Sequence, residues 1–105
     1  AQPHAEQAVT PQTAFLMATL LADVVTSGTA WKARQLGFRL PAGGKTGTTN
    51  AYRDAWFVGF TPTVVSGVWV GHDTPRPILP GRAYAADVAV PLWAAFMKAA
   101  TASHK

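Results

Sequence analysis

Apolar residues recur at helical spacing near the start of the chain. Residues 1–9 show no period, and we interpret them as a linker or tail. Thr10 followed by Pro11 is typical of a helix start, because the hydroxyl can cap free N–H groups and proline fits the first turn. A four-residue apolar repeat then predicts an amphipathic helix, with the positions Leu16, Leu20 and Val24.

A second, short helix is expected directly after the first. Thr29 can cap it, and Gly37 can end it in the left-handed conformation that glycine tolerates. Helices are therefore predicted over residues 10–36. Pro41 and the two glycines that follow it end the helical pattern and introduce extended structure.

Three antiparallel strands are predicted over residues 44–71. Their expected bounds are 44–49, 55–60 and 64–71. The last two strands are separated by a short turn and should form a hairpin. Trp56, Phe57 and Trp69 fall on alternating strand positions, so we expect all three in the core rather than on a ligand platform.

A final helix is predicted over residues 88–102, after an irregular connection over residues 72–86 that is rich in proline and glycine. Helical offsets place one set of residues on the face toward the sheet, namely Trp93, Phe96, Met97 and Ala100. The order of helices, antiparallel strands and helix predicts an α+β fold, an antiparallel sheet with packed helices, in one domain over residues 1–105.

The composition narrows the classes of function. The net charge of +4 comes without a basic run or a stripe of alternating basic and aromatic residues, so we expect no nucleic-acid partner. The absence of cysteine excludes disulfides and thiolate metal sites. Four Trp, five Phe and two Tyr are many for a chain of 105 residues. Part of the apolar surface is therefore expected to lie against a partner or a segment outside this chain.

Residues 45–49 (KTGTT) carry the most informative chemistry, because a cation, hydroxyls and a bare backbone stand together on one predicted strand. In extended structure Lys45, Gly47 and Thr49 face one way, and Thr46 and Thr48 face the other. Free strand N–H groups can bind an extended peptide by strand addition. An N–H aimed at a carbonyl oxygen would also stabilise the oxyanion of acyl transfer.

Longer strings around this segment resemble the bifunctional, or class A, penicillin-binding proteins. The strings are residues 43–50 (GGKTGTTN), 52–62 (YRDAWFVGFTP) and 67–71 (GVWVG). Shorter matches lie upstream (TPQTA and GTA) and downstream (PRP and AVPLW), so the resemblance covers nearly the whole chain after Val9. It implies the C-terminal part of a serine β-lactamase/penicillin-binding transpeptidase fold.

The resemblance also implies roles for the residues of the motif. In this family an acyl-transfer site combines Ser-x-x-Lys, Ser-x-Asn and Lys-Thr-Gly motifs. Lys45 is then expected to keep the site positive and to bond the second-motif serine, and Thr46 to bind the substrate carboxylate. The backbone N–H of Thr48 is expected to complete the oxyanion hole. Gly47 and Thr49 are expected to complete the substrate-binding strand.

The chain lacks the first two motifs. None of Ser27, Ser66 and Ser103 is followed by Lys three residues later or by Asn two residues later. Without a nucleophile and base, we expect this chain alone to be inactive. The implied partners are an upstream segment of the same domain, the peptidoglycan stem peptide and β-lactams, with no cofactor or metal. The implied location is the periplasmic side of the inner membrane, with an anchor in an upstream segment.

Residues that flank the motif are less specific. Asn50, Tyr52 and Arg53 can border a peptide groove or serve as ordinary turn residues, and both interpretations stay open. His72 stands beside Asp73, which invites a metal interpretation. A third ligand is missing nearby in the sequence, so a solvent-facing loop is favoured.

Other functions fit the sequence less well. Residues 44–46 match the end of a phosphate-binding loop, but Arg39 stands where that loop requires its first glycine, and a strand follows. A non-catalytic penicillin sensor or scaffold would keep the fold, and a β-lactamase or D,D-carboxypeptidase would keep the chemistry with water as acceptor. The favoured hypothesis is part of a D,D-transpeptidase that crosslinks stem peptides through a serine acyl-enzyme.

Overall fold

A computed structural model describes residues 5–49, 53–72 and 85–103. The elements in chain order are α1 (Pro11–Thr26), α2 (Lys32–Gln35), β1 (Gly43–Thr48), β2 (Asp54–Phe60), β3 (Val65–Gly71) and α3 (Ala85–Ala100). The strands form an antiparallel sheet in the order β1-β2-β3, so β1 lies at an edge of the described sheet. The predicted α+β fold is confirmed, and each strand begins and ends within one residue of its predicted bounds.

The start of α1 is set by Thr10. Its backbone is extended, and its hydroxyl accepts a hydrogen bond from the N–H of Thr13 at 3.2 Å, with Pro11 in the first turn. This is the predicted helix start. Val25 is buried, but Leu16 and Leu20 are 62% and 60% exposed. Most of the predicted apolar stripe is therefore not covered by the described residues.

The prediction that Thr29 caps α2 is wrong. The residue before α2 is Trp31, which makes no side-chain capping bond. The hydroxyl of Thr29 lies instead 3.3 Å from the hydroxyl of Thr46 in β1. Gly37 follows α2 with φ of 95°, a conformation that costs little only for glycine, as predicted for the end of this segment.

Arg34 holds the segment that joins α2 to β1. Its Nη1 donates to the carbonyl oxygens of Phe38 at 3.0 Å and Leu40 at 2.6 Å. The guanidinium carbon also lies 5.7 Å from the centroid of the Phe38 ring. Burial lowers the pKa of Arg34, and the charge of Arg39 lowers it further. These bonds fix the backbone immediately before β1 and so help to place that strand.

One face of the sheet packs against α3. Phe57 in β2 and Trp93 in α3 are fully buried, and their ring centroids lie 4.9 Å apart in an edge-on arrangement. Phe38 meets the same indole edge-on at 5.2 Å. Aromatic rings prefer this geometry, which adds to the stabilisation from buried area. Phe57 is thus a core residue, as predicted.

Helix α3 differs from its prediction in two respects. It begins at Ala85 rather than at residue 88, with Pro91 inside the helix. Trp93 and Met97 are buried as expected, but Phe96 is 54% exposed and Ala100 is exposed. The residues that face the sheet share one side of α3, which also includes Val90. Phe96 lies outside the face of α3 that packs on the sheet. Ala100 is the last residue of the helix.

The opposite face of the sheet is covered at one end, where a Cβ on Gly43 would lie 3.1 Å from Cβ of Leu21 in α1, and is exposed around Trp56, Val58 and Trp69 in the described part of the chain. Trp56 and Trp69 are cross-strand partners with ring centroids 6.5 Å apart, yet they are 47% and 46% exposed. Val58 is 49% exposed. The prediction that both tryptophans are core residues is therefore wrong. Alternation gives their common face, but α3 packs on the other face, where Phe57 lies.

Within the described ranges, none of the helices combines the length and the apolar character that crossing a bilayer requires.

Candidate active site

Two glycines of β1 differ in what the fold demands of them. A Cβ on Gly44 would lie 2.6 Å from Cζ of Phe57 and 2.8 Å from the carbonyl oxygen of Val58, so the packing of β1 on β2 requires glycine there. A Cβ on Gly47 would have Cβ of Trp56 as its nearest described neighbour, at 3.7 Å, which is an ordinary van der Waals distance. Packing within the described chain therefore does not explain glycine at Gly47. Because glycine has no side chain, another backbone can approach β1 closely at that point.

Lys45 and Thr46 bring a cation and a hydroxyl together on the edge strand. The exposed Nζ of Lys45 donates to the carbonyl oxygen of Thr46 at 3.1 Å and to its Oγ1 at 3.3 Å. Lys45 is the cross-strand partner of Val58, so its side chain leaves the open face of the sheet. This pair offers an ammonium and a polar hydroxyl to an anionic ligand.

A third group joins this pair from outside the sheet. The hydroxyl of Thr29, in the turn between α1 and α2, lies 3.3 Å from that of Thr46. Thr29 was not among the site residues predicted from the sequence. A bond between residues 17 positions apart depends on how the α1–α2 turn docks beside β1, and local patterns carry no signal for it.

The ladder between β1 and β2 directs two backbone N–H groups outward. The N–H of Thr49 donates to the carbonyl oxygen of Asp54 at 3.0 Å. Along an antiparallel strand, alternate residues bond to the same neighbour, so the N–H groups of Thr46 and Thr48 point away from β2. They point toward the edge of the described sheet, which is the direction from which an added strand would approach.

The side chain of Thr49 is hydrogen-bonded to Asp54, the first residue of β2. Its Oγ1 accepts a hydrogen bond from the N–H of Asp54 at 3.0 Å and lies 3.5 Å from Oδ2 of the same residue. The indole Nε1 of Trp69 donates to the other carboxylate oxygen, Oδ1, at 2.9 Å. This network ties the far end of β1 to β2 and, through the carboxylate of Asp54, to Trp69 of β3. The substrate contact expected of Thr49 stays a prediction.

The hydrogen bonds of Ser27 and Ser66 are not those of an activated nucleophile. Oγ of Ser27 donates to the carbonyl oxygen of Asp23 at 3.4 Å, and Oγ of Ser66 donates to Sδ of Met97 at 3.2 Å. Ser103 is exposed just after α3. Neither of these two bonds involves a basic group, whereas an activated serine requires a base within hydrogen-bond reach.

The residues that flank the motif add little to this geometry. Arg53 is exposed immediately before β2. His72 is partly buried after β3. Asn50, Tyr52 and Asp73 lie outside the described residues, so the predictions for them stay open. In the part of the chain that the structure describes, no three His, Cys, Asp or Glu side chains are grouped closely enough to hold a metal ion.

Comparison with known proteins agrees with the resemblance seen in the motifs. A profile of the penicillin binding protein transpeptidase domain matches residues 1–98. Penicillin-binding protein 1A of Neisseria gonorrhoeae is 48% identical over 96 residues, and that of Rickettsia bellii is 47% identical over 83 residues. These matches cover 90% and 79% of this chain, but 12% and 10% of the relatives. The chain thus spans a small part of their length.

The fold is also found in a solved structure. The crystal structure of penicillin-binding protein 1A from Haemophilus influenzae matches this chain with a TM-score of 0.85 and 32% sequence identity. The match covers 97% of this chain and 16% of that chain. The arrangement of three strands and packed helices is therefore part of a larger structure in that protein.

Proposed function

The chain belongs to the penicillin-binding protein transpeptidase family, and we propose that it supplies the substrate-binding strand of a D,D-transpeptidase. In this proposal β1 binds the end of a peptidoglycan stem peptide, or a β-lactam, along its outer edge. One observation carries it, the Lys45 ammonium 3.3 Å from the Thr46 hydroxyl on an edge strand. A cation and a hydroxyl on such a strand suit a peptide that ends in a carboxylate.

Each residue of the motif has a proposed role. Lys45 keeps the site positive and bonds a serine of the second motif, and Thr46 donates to the terminal carboxylate. The N–H of Thr48 donates to the developing oxyanion, a bond worth about 3 kcal/mol in other acyl-transfer enzymes. Gly47 lets the substrate backbone approach β1. Thr49 borders the far end of the groove, where its bond to Asp54 of β2 keeps β1 in place.

The proposed reaction has two acyl-transfer steps. A serine hydroxyl from the upstream segment attacks the carbonyl of the penultimate D-Ala, giving up its proton to a neighbouring base. The new C–O bond forms as the C–N bond to the terminal D-Ala breaks, and that D-Ala leaves with a proton on its amine. The amine of a second stem peptide then attacks the ester. The C–N bond of the crosslink forms as the ester C–O bond breaks, and the serine oxygen takes up the proton that the amine gives up. Neither step needs a metal or cofactor.

We propose that an upstream part of the same transpeptidase domain is the partner of this chain. Two apolar surfaces are exposed, Leu16 and Leu20 on α1 and Trp56 and Val58 on the open face of the sheet. Contiguous apolar surface of this kind is typical of an interface. The curated relatives are roughly eight times longer than the matched region, so they contain chain enough to cover both surfaces.

The proposed location follows from the proposed substrate. Peptidoglycan is crosslinked outside the cytoplasm, so we place the site on the periplasmic side of the inner membrane. We assign the membrane anchor to an upstream segment.

Labelling with a fluorescent penicillin tests the proposal. The complete protein should form a stable adduct, and mass spectrometry of its peptides should place the adduct on a serine outside residues 1–105. The chain produced alone should form none. An adduct on Ser27, Ser66 or Ser103 would overturn the proposal. A complete protein that shows no turnover would be a sensor or scaffold, and rapid release of hydrolysed drug would indicate a β-lactamase.

A further inference from the structure

We propose that Thr29 is a positioning residue that directs the hydroxyl proton of Thr46 toward the carboxylate of the bound ligand. This inference rests on the proposed function, because it concerns the same site. It starts from the bond between the two hydroxyls, which are 3.3 Å apart although the residues are 17 positions apart in the chain. The role is distinct from helix capping, since Trp31 occupies the position before α2.

The hydrogen-bonding capacity of Thr46 explains the role. A threonine hydroxyl has one proton and two acceptor lone pairs. The ammonium of Lys45 has no lone pair, so at 3.3 Å it occupies one acceptor position of the Thr46 oxygen. When the hydroxyl of Thr29 donates, it occupies the second. Both lone pairs are then engaged, and the proton of Thr46 is directed away from these two donors. An anionic ligand meets a donor that is already oriented.

The backbone around Thr29 is rigid enough for this purpose. The N–H of Gly28 donates to the carbonyl oxygen of Asp23 at 2.9 Å, and the N–H of Ala30 donates to that of Val24 at 3.0 Å. Ala30 is fully buried. Thr29 is therefore held between two anchored residues, and the position of its hydroxyl is set by the end of α1.

Thr29 has little part in the stability of the described fold. Its side chain is exposed, and so is its bond to Thr46. Removing an exposed hydroxyl leaves no buried polar group unpaired, so the fold should tolerate the loss. An effect on ligand binding without an effect on stability is what separates a positioning role from a structural one.

The test uses three variants of the complete protein. Thr29→Val removes the hydroxyl and keeps the shape, Thr29→Ser keeps the hydroxyl, and Thr26→Val removes an exposed hydroxyl at the end of α1 as a matched control. The rate of acylation is measured against the concentration of a fluorescent penicillin. This separates the half-saturating concentration from the limiting rate. The measurement is repeated with the methyl ester of the same penicillin, which lacks the carboxylate.

Thr29→Val should raise the half-saturating concentration about three- to tenfold, as expected for one hydrogen bond, with a smaller change in the limiting rate. Thr29→Ser should restore the wild-type value to within about twofold, and Thr26→Val should match the wild type. With the methyl ester, the difference between Thr29→Val and wild type should disappear.

Two results would overturn the inference while leaving the proposed function intact. One is an unchanged half-saturating concentration in Thr29→Val. The other is a loss of equal size with the methyl ester, which would mean that Thr29 does not act through the carboxylate. A wild-type protein that takes no penicillin would instead remove the proposed function, and this inference with it.

Discussion

The two faces of the sheet differ in how much of their packing this chain supplies. On one face α3 covers Phe57, and Trp93 is fully buried against it. On the other face Trp56 and Trp69 remain nearly half exposed, although they belong to the same strands. Lys45 also projects from this second face, because it is paired with Val58. The chain therefore covers one face by itself and presents Lys45 on the part of the other face that it leaves exposed.

The largest expected effect lies on the covered face. Trp93→Ala should lower the free energy of unfolding of the complete protein by about 3–5 kcal/mol, because it leaves a cavity between Phe57 and Phe38. Urea denaturation measures this change. Leu92→Ala, on the exposed side of the same helix, should cost about 1 kcal/mol or less. Equal losses for the two variants would mean that α3 is not packed as described.

Lys45, on the open face, should respond to mutation in activity rather than in stability. Lys45→Ala should slow acylation by penicillin about 100-fold, which corresponds to roughly 2.7 kcal/mol, because the site loses its cation. The thermal midpoint should stay within about 2 °C, since the side chain is exposed. Lys98→Ala is the matched control, because that lysine contacts the carbonyl of Leu36 instead. Normal labelling of Lys45→Ala would exclude Lys45 from the site.

Trp56 tests whether an upstream segment covers the open face. If that segment buries the exposed half of the indole, Trp56→Ala should lower the free energy of unfolding of the complete protein by about 2 kcal/mol or more. Chemical denaturation of the complete protein gives the value. A loss below about 0.5 kcal/mol, the usual range for surface substitutions, would show that this face stays in water.

The smallest effect is expected at the far end of β1. Asp54→Ala removes the acceptor of the Trp69 indole and loosens the contact with Thr49, so the free energy of unfolding should fall by about 1 kcal/mol. Trp69→Phe keeps an aromatic ring and removes the N–H donor together with the second ring of the indole. The two changes should be non-additive in a double-mutant cycle, because they break the same bond. Additive losses would show that this bond contributes nothing to stability.

Features that depend on local backbone preference follow from the amino-acid sequence alone. Thr10 and Pro11 specify the start of α1, the bounds of the strands follow from alternation and turn residues, and Gly37 adopts the positive φ that its type allows. The motif around Lys45 also sufficed to indicate the family. These features could be predicted because each depends on residues that are close together in the chain.

Which surfaces meet depends instead on contacts in the folded chain. A two-residue period puts Trp56 and Trp69 on one face, but the docking of α3 determines that the opposite face is buried. In the same way, the residue type of Thr29 and its place in the sequence predict a helix cap. In the structure its hydroxyl lies next to that of Thr46 instead. Both outcomes depend on contacts between residues far apart in the chain. Local patterns cannot predict which of two similar surfaces will be buried, or which of two polar partners a side chain will bind.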